Sequence, residues 1–257
     1  MAKIQGNFNW NKPEVYTSFV QGTDALAIYN ALEGSMKNGI SYDADSKTLV
    51  GSNVFAAAKI DSLLMPLGIR VANLKDLSRP EVIQMVKGKY YTDAPTLVLR
   101  SRDDSYDKNL PLIEQLKGLV EQANGRLKLP VMITGFDVKV VENDKGYGIA
   151  LVPRDDFKAV SDERLKGDFN GKTFSEVDEL GLPKFDSKGK RIWYARIAGL
   201  SGLSLSRLLN AYSNNENLAN SNGNGRIAQN IFRLGFILLP WLKHTIIFTI
   251  KSYLLKI

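Results

Sequence analysis

Residues 96–153 constrain the fold more than any other stretch, because every local signal there agrees. Thr96, Leu97, Val98, Leu99 and Arg100 form a short apolar run with β character. A polar loop follows, rich in aspartate and serine, up to Asn109. Then Leu112, Ile113, Leu116, Leu119, Val120 and Ala123 recur at spacings of three and four, which places them on one helical face. Glu114, Gln115, Lys117, Glu121 and Gln122 cover the other face. Asn109 is placed to cap this helix, Pro111 suits its first turn, and Asn124-Gly125 ends it. Residues 130–134 read as a second buried strand. Residues 136–142 and 147–152 pair as a hairpin around Asn143, Asp144, Lys145 and Gly146.

Upstream, residues 7–11 read as an edge strand and residues 12–20 as a short helix. Thr23 or Asp24 caps a helix reaching about Met36, with Ala25, Ile28, Leu32 and Met36 on one stripe. Two short strands, 40–43 and 48–50, precede a helix over 54–65 that Asn53 caps and Pro66 ends. Residues 69–73 alternate as a strand. Ser78 and Glu81 have capping-box spacing for a helix that runs to Val86. Residues 69–153 therefore read strand, helix, strand, helix, strand, hairpin. Such alternation favours parallel strands joined by right-handed crossovers. The expected class is α/β or α+β, a mixed sheet with flanking helices. A purely antiparallel α+β sheet is the alternative, because the crossovers are short.

After Pro153 the character changes. Residues 155–166 are charged and read as helical, and residues 174–180 as a helical turn or two. Lys184-Phe185 and residues 191–196 flank a turn at Asp186–Gly189, and residues 199–209 read as a small β element. The expected organisation is a mixed α/β domain over 1–153, a small β-rich, loop-rich region over 154–226, and a basic apolar tail over 227–257.

The formal charge of +7 invites a nucleic-acid reading, but its distribution opposes one. From Leu218 onward there are five basic residues and no acidic ones, which leaves 29 basic against 27 acidic upstream. A phosphate-binding surface needs basic residues clustered on the body, so nucleic acid is not the expected partner. The tail has three readings: membrane-associated through residues 231–257, packed as core, or an extension from an altered reading frame. It has the length to span a bilayer at about 20 residues, while a central Lys243 costs about 2.5–3.5 kcal/mol on insertion scales. No secretory signal stands at the start, so the expected location is cytoplasmic, with membrane association through the tail as the alternative.

The chain has no cysteine and one histidine, His244 in the tail. The body therefore offers no thiol nucleophile, no Ser-His-Asp triad and no histidine-bound zinc. Chemistry there falls to Asp, Glu, Lys, Arg, Ser, Thr or Tyr. The most suggestive polar cluster is the loop after the strand at 96–100. Arg100, Arg102 and Ser105 are candidate ligands for a phosphate or carboxylate at the helix start. Asp103, Asp104 and Asp107 are candidate oxygen ligands for a divalent cation. The competing reading of the same loop is a solvated connection with arginine–aspartate pairs. Gly167 and Gly171 before Lys172-Thr173 superficially suggest a phosphate loop, but only three residues separate the glycines, and the motif needs four. Trp10, Trp193 and Tyr194 read as half-buried core.

The reading this supports is a non-enzymatic binding or structural module. Its rivals are an enzyme that uses the loop carboxylates and a divalent metal on a phosphorylated or anionic substrate, and a protein tethered to a membrane by its tail.

Overall fold

The computed structural model describes residues 14–142 and 145–233. In chain order the first half contains β1 (Glu14–Phe19), α1 (Thr23–Asn30), β2 (Ser41–Asp43), β3 (Thr48–Val50), α2 (Val54–Leu64), β4 (Ile69–Val71), α3 (Pro80–Val86), β5 (Thr92–Leu99) and α4 (Leu110–Asn124). Then come β6 (Val131–Val140), β7 (Ile149–Ser161), β8 (Thr173–Val177), β9 (Pro183–Phe185), β10 (Arg191–Ala195), β11 (Leu200–Leu205), β12 (Ala211–Ser213) and β13 (Ala228–Arg233). The expected strand over 7–11, part of the turn after β6 and residues 234–257 of the tail lie outside the described residues.

An eight-stranded sheet runs in the order β7-β6-β5-β11-β12-β10-β8-β9, so it takes strands from both sides of residue 153. A three-stranded sheet, β1-β13-β4, and the β2-β3 hairpin complete the set. The large sheet is mixed and flanked by helices, the expected class. Its parallel pair is β10 with β12. The parallel crossovers expected within 69–153 do not form. β5 pairs antiparallel with β6, β6 antiparallel with β7, and β4 belongs to the smaller sheet. The apolar run in β5 has another cause. Leu97 and Leu99 enter one core with Phe55, Ile113 and Phe136, while Ala94 and Val98 enter a second with Phe174, Trp193 and Leu203. A strand covered on both faces needs no alternation, whatever the direction of its neighbours.

α4 and α2 form where periodicity places them. The Asn53 side chain accepts the Ala56 N–H at 2.8 Å, a standard N-cap, and Gly125 ends α4 in the left-handed region at φ 70°. Other local expectations are not met. Asn109 precedes α4 but donates its amide to Asp104, Leu200 O and Glu216 O instead of capping. Ser78 does not cap α3; its hydroxyl donates to Leu74 O. Residues 14–19, expected helical, are β1 against β13. α1 stops at Asn30, and Met36 sits in a separate 3-10 turn. The charged stretch after Pro153 continues β7 to Ser161, and residues 173–177 are β8. β9 and β10 do not pair with each other, because β8 lies between them.

Candidate functional site

The loop after β5 is where sequence placed the site. Arg100 is buried, and its guanidinium donates inward: Nε to Leu165 O at 2.6 Å, Nη1 to Ser201 Oγ and Nη2 to Ser213 Oγ, both at 2.7 Å. Burial, reinforced by the like charge of Arg196, pushes it down to about 9, so it stays protonated at neutral pH. Asp104 takes the Arg196 guanidinium on both oxygens (2.9 and 3.1 Å), together with the Leu200 N–H, the Tyr106 N–H and the Asn109 amide. Burial opposes its ionisation, but these donors outweigh burial and hold its carboxyl below the usual range. Arg102, Asp103, Ser105 and Asp107 are exposed. Ser105 is the one of these four that joins the pair, receiving Arg196 Nη2 at 3.1 Å. Arg100 and Asp104 thus tie this loop to β11 and β12. Among the described residues no group of three metal-ligating side chains forms, here or elsewhere.

Parallel strands over 69–153 would have brought the segments after Asn73, Arg100 and Thr134 to one edge of the sheet. In the antiparallel β5–β6 pair, Leu99 lies opposite Val131, so Arg100 sits beside the beginning of β6 and the turn after β6 lies at the far end.

A different cluster assembles around α2. Asp61 sits in a helix whose other inward residues are apolar, and its side chain is 1 % exposed. Such a carboxylate requires partners. Oδ1 accepts Arg70 Nε (2.9 Å) and the Val71 N–H (2.8 Å); Oδ2 accepts Arg70 Nη2 (2.9 Å) and Arg154 Nη2 (2.7 Å). Asp156 bridges the same two arginines, taking Arg154 Nε at 2.9 Å and Arg70 Nη2 at 2.9 Å. Arg154 Nη1 reaches Ser62 Oγ at 2.9 Å. The hydrogen bond to Asp61 raises Arg70 above the ordinary arginine range; Arg154 is raised too, against its burial, by Asp156 and Asp61.

Two cavities flank this network. The larger is a groove of about 610 Å³ lined by Ala27 and Ile28 of α1, Ala31 just after it, Leu63 and Leu64 of α2, Ile69 of β4 and Ile231 of β13. Its polar lining includes Ser62, Lys59 and Asp137, and Lys59 Nζ stands 3.4 Å from Asp137 Oδ2. The smaller is a cleft of about 260 Å³ whose walls include Asp61, Arg70 and Asp156. Ser62, on the groove wall, is therefore joined through Arg154 to Asp61 and Asp156 on the cleft wall.

The chain matches no family model, no curated protein and no solved structure.

Sequence reasoning passed over the groove. One signal was present: Asp61 within the run Val54–Leu64, where an acid on an apolar helix implies a buried counter-charge. The identity of that counter-charge, from a strand 93 residues further on, was not legible.

Proposed function

We propose that this chain is a binding module whose ligand site is the groove between α1 and α2, and that it takes a small amphipathic molecule. The observation that carries this reading is the groove itself. Cavities of about 300–1,000 Å³, mostly apolar with a few gathered polar groups, are the usual form of small-molecule sites, and this one measures about 610 Å³. Lys59 and Ser62 stand three apart on α2 and so are neighbours on the helix surface, and Asp137 pairs with Lys59. The ion pair presents a donor and an acceptor with no net charge. Asp24, also on the lining, adds a further carboxylate, so the groove suits a head that donates hydrogen bonds without negative charge, such as an alcohol, a primary amide or an ammonium. The apolar body would run along Ile28, Leu64 and Ile231.

The test uses anilinonaphthalenesulfonate fluorescence on the full chain, with decanol, decanoate and decylammonium as competitors. Decanol and decylammonium are expected to displace the dye, and decanoate is expected to fail. Ala31→Phe, which fills the groove from the end of α1, is expected to abolish displaceable binding while leaving the circular dichroism spectrum and unfolding temperature unchanged. Dye binding that survives Ala31→Phe would refute the assignment.

A further inference from the structure

The smaller cleft is built by interruptions of the large sheet. In β5, Leu97 pairs with Gly202 and Ala94 with Leu203, so Pro95 and Thr96 have no partners on β11. Between Thr134 (opposite Lys158) and Phe136 (opposite Pro153), the single residue Gly135 of β6 faces residues 154–157 of β7. Pro95, Thr96, Gly135 and Asp156, one or more from each interruption, line the cleft. Bulges forgo ladder hydrogen bonds and recur beside sites, where they re-aim side chains. Here they turn Asp156 toward Arg70 and admit Gly135 at φ 72°, where a Cβ would come within 2.3 Å of Asp156 O.

The charges in the cleft are unevenly committed. Asp61 and Asp156 are taken by Arg70 and Arg154. Arg70 uses Nε and Nη2 in doing so, and among the described residues Nη1 makes no hydrogen bond. Asp76, on the same wall, accepts the Asn73 N–H at 3.0 Å; Lys75 and Arg79 act on it electrostatically but form their ion pairs with Glu179 and Glu81. Burial pushes its carboxyl above the usual range and outweighs the Asn73 N–H, Arg79, Lys75 and Asn230, all of which act the other way. Lining carboxylates outnumber the cations that hold them: Asp61, Asp76 and Asp156 against Arg70 and Arg154.

We propose that this cleft is a second ligand site, for a small amino acid-like zwitterion whose ammonium pairs with Asp76 and whose carboxylate accepts from Arg70 Nη1. The threonines Thr96 and Thr134 on its wall add hydroxyls for the ligand's remaining polar atoms. At about 30 Å³ per water-sized group, the cleft holds on the order of eight such groups, which matches the smallest amino acids.

The test is isothermal titration and thermal shift of the full chain with glycine, β-alanine and γ-aminobutyrate, with sodium acetate as the carboxylate-only control. At least one zwitterion is expected to bind at millimolar concentration and raise the unfolding temperature, with acetate inert. Asp76→Asn is expected to weaken that binding about tenfold or more, since a charge-assisted hydrogen bond is lost, while dye binding in the α1–α2 groove is retained. No heat from any zwitterion with the wild-type chain would overturn the proposal, whether or not the variant folds. So would acetate acting as well as the zwitterions, or binding undiminished in a folded Asp76→Asn variant.

Discussion

Asp61 Oδ2 and Arg154 Nη2 stand 2.7 Å apart with side chains 1 % and 9 % exposed, and this contact joins α2 to β7. Removing one member of a buried pair strands the other, and the usual cost is about 3–5 kcal/mol. Asp61 also holds Arg70 and the Val71 N–H. We expect Asp61→Asn to lose about that much in urea denaturation. Asp61→Leu combined with Arg154→Met should lose less than the sum of the two single changes, because no charge is then left unpaired. Additive losses would mean that the contact contributes nothing as a pair.

Arg100 and Arg102 are two residues apart and should respond oppositely. Arg100 supplies donors to Leu165 O, Ser201 Oγ and Ser213 Oγ inside the protein. Arg100→Met removes all three and leaves buried acceptors unsatisfied, at about 1–3 kcal/mol for each group left unsatisfied. Arg102 is exposed, and Arg102→Ala should stay within about 0.5 kcal/mol of wild type. Thermal melts of the two variants, side by side, decide whether the loop's first arginine belongs to the core or to a solvent-facing site.

That contrast also marks how far the sequence was legible. α4 could be read because one face is apolar at regular spacing, and α2 because Asn53 precedes an apolar run; both signals are local. β7 beyond Pro153 could not. Arg154, Asp155, Asp156 and Lys158 look like a solvated helix, and what holds them in the strand is that Pro153 on one side and residues 158–161 on the other pair with β6 across the bulge at Gly135. Asn109 and Ser78 carry capping chemistry but use it elsewhere: Asn109 on distant chain at Leu200 and Glu216, and Ser78 on Leu74 O in the turn just before it. The candidate loop misled for a related reason. Asp104 looks like a metal ligand until Arg196, directly after β10, is placed beside it.

Asp93 supplies a pH test with a definite sign. It is buried in β5, its N–H donates to Ser52 Oγ at 2.9 Å, and its Oδ2 has no hydrogen-bond partner among the described residues. Burial raises its carboxyl to about 7, with the Ser52 contact pulling weakly the other way. The folded chain therefore holds this proton more tightly than the unfolded chain, whose value is near 3.8. Its contribution to stability is complete below about pH 4 and is lost as pH rises through about 7, by on the order of 4 kcal/mol. Asp93→Asn cannot ionise. Its stability relative to wild type should rise across that window and level off above it, measured by urea midpoints at several pH values. A difference that does not change with pH would show that Asp93 does not titrate there.

Two glycines separate backbone strain from collision. Gly125 ends α4 at φ 70° with nothing within 4 Å of a Cβ placed there. Gly135 has nearly the same φ, 72°, but a Cβ would meet Asp156 O at 2.3 Å and Phe157 Cα at 2.7 Å. Gly125→Ala should therefore lose only the left-handed preference, about 1 kcal/mol. Gly135→Ala must lose that and also push β6 away from residues 154–157, for a total of about 3 kcal/mol or more. Because Arg154 and Asp156 lie in the displaced segment, the same change should loosen their contacts with Asp61 and Arg70. A double-mutant cycle between Gly135→Ala and Asp61→Asn would then show clear coupling, whereas Gly125→Ala with Asp61→Asn should be additive. If Gly135→Ala costs no more than Gly125→Ala, the bulge is soft, and the wall it builds cannot hold the cleft in shape.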